Sequence, residues 1–271
     1  MNASSLFLEA TMPAKAAAKP VADPAALSEE DAALKEALEL IITRLHEAPL
    51  RASALSSLRQ HIRSSTSTMT AVPKPLKFLL PHVKELRGMY EIWPDCPERL
   101  QLADILSVLV MTDAESHRDT LRFHLLGTRT SPGDWGHEYV RHLAAEIGKE
   151  YDELLEEQTT GDIEQIRQLA ISLVPYFLKH NAEAEAVDLL LEVEAIEEII
   201  EHLDESTYSR VCLYIVSCSN YLSSPDDVQV LVTASKIYEK FGKIIDAFRL
   251  SIKMHNRGEM QRQWDACSDR Y

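Results

Sequence analysis

Apolar residues recur at steps of three and four along nearly the whole chain, and this spacing confines it to helices that each hide one stripe. Ser28, followed by Glu29, Glu30 and Asp31, predicts the first helix start, with a capping hydroxyl and anions where the first N–H groups lack partners. Leu34, Leu38, Ile41, Ile42 and Leu45 then form a stripe that ends near Pro49. Further helices are predicted over 52–62, 76–92, 97–111 and 116–126. A long one follows Pro132, with Trp135, Tyr139, Leu143, Ile147 and Tyr151 spaced by four and Leu154 and Leu155 closing the stripe. Shorter helices are predicted over 163–178, 182–193, 195–203, 206–219, 226–241, 243–255 and 258–267. No run alternates over more than a few residues with the period of two that a half-buried strand needs, and eight glycines leave few hairpin turns. The expected fold is all-α, with helical hairpins stacked side by side in an α-solenoid-like array.

Residues 1–27, rich in Ala, Lys and Pro, read as a disordered tail, because Pro13, Pro20 and Pro24 interrupt any helix. The Ser/Thr-rich segment 64–70 and the turn Pro73-Lys74-Pro75 make a polar break. Acids, two threonines and Gly161 mark 156–162 as the main internal boundary, dividing a helical region over 28–157 from a hairpin region over 162–271. Ala186, Leu189 and Leu191 can be laid over Ala247, Leu250 and Ile252 at constant offset, with Leu203-Asp204 falling on Trp264-Asp265. Unrelated helical segments match at this level by chance, so the sequence leaves open whether the echo marks a repeat.

Acidic side chains number 43 against 28 basic ones, giving a formal charge of −15 with no basic patch, so neither nucleic acid nor an anionic membrane is an expected partner. The longest uncharged stretch, 211–225, is shorter than the roughly 20 apolar residues of a spanning helix. Leu6, Phe7 and Leu8 have no basic segment ahead of a sustained apolar run, so no secretory signal is expected and the chain is placed in the cytoplasm and nucleus. Cys96, Cys212, Cys218 and Cys267 lack zinc or redox spacing and are expected as reduced thiols.

Several constellations resemble chemistry. His137-Glu138-Tyr139-Val140-Arg141-His142 suggests a metalloprotease helix, but the second histidine stands five positions on, so the two rings diverge around the helix. The expected arrangement is polar-face histidines with Glu138 near His142. Glu192, Glu194, Glu197, Glu198 and Glu201 could pair carboxylates, yet Ile196, Ile199, Ile200 and Leu203 occupy the complementary stripe and leave the acids in water. Gly242-Lys243 lacks the earlier glycine of a phosphate loop and precedes Ile244. Trp93, Trp135 and Trp264 are expected mostly in the core. Ser64, Ser65, Thr66, Ser67 and Thr68, near Arg63, Lys74 and Lys77, could form a phosphorylated loop, with an ordinary solvated connection as the plainer reading. No catalytic, cofactor or metal residue is assigned, and the chain is expected not to be an enzyme.

Particular strings carry more than periodicity does. The stretch 62–79 runs from Ile62-Arg63-Ser64-Ser65-Thr66 to Pro73-Lys74-Pro75-Leu76-Lys77-Phe78-Leu79, and 135–144 opens Trp135-Gly136-His137-Glu138-Tyr139. Together with His180-Asn181-Ala182-Glu183 through Asp188-Leu189-Leu190, Val211-Cys212-Leu213-Tyr214 through Asn220-Tyr221, and Phe241 to Leu250, they resemble the family of large non-ATPase scaffold subunits of the proteasome regulatory particle, in its N-terminal region.

That resemblance implies a non-catalytic scaffold in the base of the regulatory particle, beside the AAA-type ATPase subunits, supporting ubiquitin-dependent protein degradation. It also implies that contacts with ubiquitin and shuttle factors belong to a glycine- and alanine-rich toroid outside these residues, so none is carried over to a position here. A helical-repeat adaptor of another assembly is the alternative. An enzyme would need metal at His137 and His142.

Overall fold

In a computed structural model the chain is described over residues 28–66, 73–112, 119–157 and 160–268. All the regular elements among them are helical. Helix α1 (Glu29–Leu45) begins as the sequence dictates, with Asp31 N–H donating to Ser28 Oγ at 3.1 Å, and it buries Leu38, Ile41, Ile42 and Leu45. Helix α2 (Arg51–Thr66) runs past the predicted end at 62, so the polar break begins later than expected. Its hydroxyls turn back on their own helix, Ser64 Oγ donating to the His61 carbonyl at 3.1 Å and Ser65 Oγ to Ile62 at 2.7 Å. Serine can satisfy itself this way without leaving the helix.

The predicted helix over 76–92 is two helices, α3 (Lys74–Leu79) and α4 (Val83–Ile92), joined by a 3-10 turn over Leu80–His82. Pro81 within that turn has no N–H to give, so the ladder re-forms one turn later. Helix α5 (Pro97–Val110) departs from the single-stripe pattern, because every side chain from Leu102 to Val110 is buried, including Asp104 and Ser107. A helix apolar on all sides sits inside the fold, and α5 packs on α2, α4 and α6 (Asp119–Leu126). Trp135 stands outside the long helix in which its spacing placed it. It is buried in a 3-10 turn over Pro132–Trp135, and Gly136, at φ 96°, redirects the chain into α7 (His137–Glu157). That backbone region is open to glycine at little cost.

Helix α8 (Thr160–Lys179) starts earlier than predicted, and Gly161 lies within its first turn. It continues through Pro175, which leaves the Ile171 carbonyl without its helical donor. Burial of Ile166, Ala170, Leu173, Val174 and Phe177 overrides that loss. Then follow α9 (Glu183–Glu192), a 3-10 turn over Ile196–Glu198, α10 (Ile199–His202), α11 (Tyr208–Cys218), α12 (Asp226–Lys240), α13 (Ile244–Lys253) and α14 (Arg257–Ser268). Each helix packs on its neighbours in order, α7 on α8 and α9, α9 on α11, α11 on α12, α12 on α13 and α13 on α14. The buried side chains form one contiguous cluster from Leu38 to Leu250. The all-α, hairpin-stacked architecture read from the sequence is the one observed. The disordered tail predicted over 1–27 lies outside the described residues.

The faint sequence echo has a geometric counterpart. Helices α9 and α13 are displaced by 61 residues at both ends, and α8 and α12 end 61 residues apart. The turns match as well. After α8, Ala182 N–H donates to Phe177 O at 2.9 Å with Asn181 at φ 56°, and after α12, Lys243 N–H donates to Tyr238 O at 2.7 Å with Gly242 at φ 70°. After α9, Ala195 N–H reaches Leu190 O at 2.8 Å past Glu194 at φ 51°, and after α13, Asn256 N–H reaches Ser251 O at 3.0 Å past His255 at φ 55°. All four are Schellman closures, in which a left-handed residue lets two following N–H groups take up orphan carbonyls. Gly242-Lys243 is therefore a helix end.

Candidate interaction surface

Helices α5, α6 and α7 bring together a polar network that no spacing in the sequence announces. Asp104 on α5 is 3% exposed and accepts from Arg59 Nη2 at 2.8 Å and from Thr128 N–H at 2.9 Å, with Thr128 Oγ1 as a third donor. Ser107 Oγ donates to the Thr120 carbonyl at 2.7 Å and lies 2.7 Å from Tyr139 Oη, which in turn lies 3.3 Å from His124 Nδ1. Glu146 on α7 accepts the Leu121 N–H at 2.7 Å in the first turn of α6, and its other oxygen is 3.0 Å from His142 Nε2. A carboxylate at a helix N-terminus satisfies a donor that the helix cannot, and meets the positive end of its dipole.

This Ser–Tyr–His contact is the nearest approach to a nucleophile and base, and its Ser107 and Tyr139 members lie inside the core. Ser107 and Tyr139 are buried, and burial raises the Tyr139 phenol and lowers the His124 imidazole from their ordinary ranges. His124 borders a surface cavity with Leu125, Arg129 and Gln168, but the Ser107 hydroxyl is spent on the Thr120 carbonyl, and the network fixes the register of three helices.

The sequence-nominated residues fall apart chemically. His137 stacks near the rings of Tyr176 and His180, at 6.2 Å from each, while His142 belongs to Glu146 on another side of α7. Glu138 pairs with Arg141 at 3.4 Å and not with His142 as the four-residue spacing implied. Among the described residues no three His, Cys, Asp or Glu side chains converge as metal ligands would. The acids Glu192, Glu194, Glu197, Glu198 and Glu201 are exposed as predicted, with Ile196, Ile199 and Leu203 buried on the other side. One detail differs from expectation. Glu192 folds back over Gly148, and desolvation there, with Asp188 and Asp152 nearby, raises its carboxyl above the usual range.

Arg63 is bridged to Asp134 at 3.2 Å and Lys74 to Asp31 at 2.7 Å, so two of the bases near the Ser/Thr segment already have partners. Residues 67–72 of that segment lie outside the described residues. Trp93 and Trp135 are in the core, whereas Trp264 is 61% exposed, which corrects its expected place. Cys212 is buried, its thiol 3.9 Å from the Ala234 carbonyl and pushed up to about 12 by desolvation. All four cysteines are free thiols.

What the molecule offers to others is its helical exterior. The outer faces of the later helices present Leu213, Val228, Ile245, Ile252 and Trp264, and the turn between α11 and α12 presents Tyr221, among acidic residues. Such a face can bind by burying apolar area while charges select orientation.

Comparison with known proteins agrees with the strings noted above. The sequence model of the RPN1 N-terminal domain matches residues 38–271. The chain is 46% identical over 246 residues to the 26S proteasome regulatory subunit rpn1 of Schizosaccharomyces pombe, covering 90% of this chain and 27% of that protein. It is 46% identical over 230 residues to the 26S proteasome non-ATPase regulatory subunit 2 of Dictyostelium discoideum, covering 84% and 26%. With homolog A of that subunit from Arabidopsis thaliana it shares 43% over 244 residues, covering 89% and 27%. The chain thus spans about a quarter of the length of these relatives. With the family model matching from Leu38 onward over helices that pack as the sequence predicts, the chain belongs to the RPN1 N-terminal domain family.

Proposed function

We propose that the chain is a non-catalytic scaffold segment of the proteasome regulatory particle, placed in its base and contributing to ubiquitin-dependent protein degradation through protein–protein contacts. The observation that carries this reading is the similarity to proteins named as 26S proteasome regulatory subunits, sustained over 84–90% of the chain. The structure adds physical support, since a stack of helical hairpins exposes a long side while keeping one core, a form suited to holding partners in place. The proposed partners are base subunits, AAA-type ATPases among them, with no cofactor and no metal. Contacts with ubiquitin and shuttle factors are assigned to parts of such subunits outside these residues. The proposed location is cytoplasm and nucleus, and the two regions 28–157 and 162–271 are proposed to serve as successive parts of one arm.

Affinity capture of the tagged chain from its native cells, followed by mass spectrometry, tests this. Co-purification of proteasome ATPase subunits in constant ratio is expected. Recovery of a different assembly with no proteasome ATPase overturns the reading in favour of an unrelated helical adaptor.

A further inference from the structure

Helix α6 ends at Leu126, and the chain turns away from it where Asp104 holds the Thr128 N–H and hydroxyl and Arg129 takes the left-handed conformation at φ 55°. Helix α8 passes opposite, packed on the 3-10 turn over Pro132–Trp135. Between the end of α6, this loop and α8 lies a cavity of about 460 Å³, a size that suits a small ligand. Leu125, Pro132 and Leu169 give it apolar walls.

His124 also lines the cavity, and the buried network settles which way its ring is protonated. Ser107 Oγ gives its one proton to the Thr120 carbonyl, so Tyr139 Oη donates to Ser107 and must accept from His124 Nδ1–H. The neutral imidazole then carries a lone pair on Nε2. That atom has no protein partner among the described residues, yet it is not sealed from solvent. His124 as a whole is 6% exposed, so an acceptor is held almost entirely within the wall.

Charge in the cavity runs against that of the molecule. The chain has 43 acidic residues, but no carboxylate lines this space, and the Arg129 guanidinium stands there without an ion pair among the described residues. The nearby acids are engaged, Asp104 by Arg59, Asp134 by Arg63, and Glu164 by the Gln168 amide at 2.8 Å. The Gln165 amide is left to donate or accept.

We propose that this cavity binds the carboxyl terminus of a partner polypeptide whose last residue is apolar. Each feature of such an end has a counterpart on the wall. The terminal carboxylate meets Arg129, the last backbone N–H donates to His124 Nε2, the preceding carbonyl accepts from Gln165, and the side chain lies on Leu125 and Leu169. A phosphate fits less well. Its second negative charge would face a molecule of −15 with no second unpaired cation on the wall, and it would leave the apolar surface wet. The cavity belongs to the isolated fold, so its ligand is testable whichever assembly holds the chain.

The test is a titration of the 271-residue chain with N-acetyl-dileucine as its free acid, followed by the His124 ring resonances, which are identified by their loss in His124→Gln. A saturable shift is expected. The C-terminal amide of the same peptide is expected to bind at least about tenfold more weakly, through loss of one charge-assisted contact. Arg129→Asn removes the charge while suiting the left-handed backbone, and is expected to weaken the acid by a similar factor. Ser172→Phe, on the α8 side, is expected to abolish binding by filling the cavity, both variants keeping the helical circular-dichroism spectrum. Arg249→Asn, which takes the same charge from α13, is expected to bind normally. Absence of any shift up to the solubility limit overturns the proposal. So do equal binding of acid and amide, binding that survives Arg129→Asn or Ser172→Phe or is lost equally in Arg249→Asn, and inorganic phosphate moving the His124 signals as readily as the peptide does.

Discussion

Two glycines show how much a single added methyl group can mean. A Cβ at Gly127 would lie 2.1 Å from Asp104 Oδ1 and 3.2 Å from the Phe123 carbonyl oxygen. Asp104 cannot retreat, because Arg59 and Thr128 hold it in a buried site. Gly127→Ala is therefore expected to cost about 1–3 kcal/mol in urea unfolding, as the network loses partners inside the core. At Gly148 a Cβ would lie 2.1 Å from Glu192 Oε2, the far end of a flexible side chain that can swing into water. Gly148→Ala is expected to be neutral or to stabilise by up to about 1 kcal/mol, since alanine favours the helix. His124 gives the network a pH dependence. Burial lowers its folded pKa below the ordinary 6.5, so the unfolded chain takes up its proton first as pH falls. Stability from this group is present above that value and is lost below it, and His124→Gln is expected to flatten the loss measured by denaturant midpoint between about pH 7 and pH 5.5. None of these residues was legible as a group in the sequence. Asp104 and Ser107 sit inside an apolar run, and only the packing of α5, α6 and α7 brings their partners to them.

At the scale of elements, the sequence was most informative where one stripe and one cap act together. Helix α1 begins just after its Ser28 cap and buries Leu38, Ile41, Ile42 and Leu45 of the predicted stripe, with Leu34 partly buried, because local propensity and burial agree there. Prolines were read less well. Pro81 splits one predicted helix, yet Pro175 leaves α8 continuous, and the difference lies in what surrounds them. The turn at Leu80–His82 buries none of its residues, whereas α8 presses Leu173, Val174 and Phe177 into the core around its proline. Pro175 itself is exposed. Pro175→Ala restores an N–H to the Ile171 carbonyl and is expected to raise stability by about 1–3 kcal/mol, read as a higher thermal midpoint with an unchanged spectrum. The pairing of His142 with Glu146 in place of Glu138 has a similar origin. Both carboxylates are four residues away, and Glu146 wins because it is already anchored to the start of α6.

At the scale of the whole molecule, an excess of negative charge spread over a long helical stack works against its own folding. Raising salt from about 10 mM to about 150 mM shortens the screening length from roughly 30 Å to 8 Å. The chain, at −15, is expected to gain a few degrees in thermal midpoint over that range, measured by calorimetry. Architecture and family were both legible from residues alone, the first from periodicity and the second from strings such as Pro73-Lys74-Pro75 and Trp135-Gly136-His137. The repeat was only faintly so, because its regularity lies in backbone closures at Asn181, Gly242, Glu194 and His255, four positions that share a conformation but only partly a residue type.

Those closures bear on how the molecule responds to being pulled. A thread drawn from its two ends would pay out in discrete lengths, because each hairpin leans on its neighbour through similar joints and none is knotted into a distant part of the chain. Sixty-one residues stretched taut measure about 220 Å. Tugging in an optical trap is expected to yield one step near that size and a shorter one from residues 160–268, giving a ruler for the period that its side chains barely spell out.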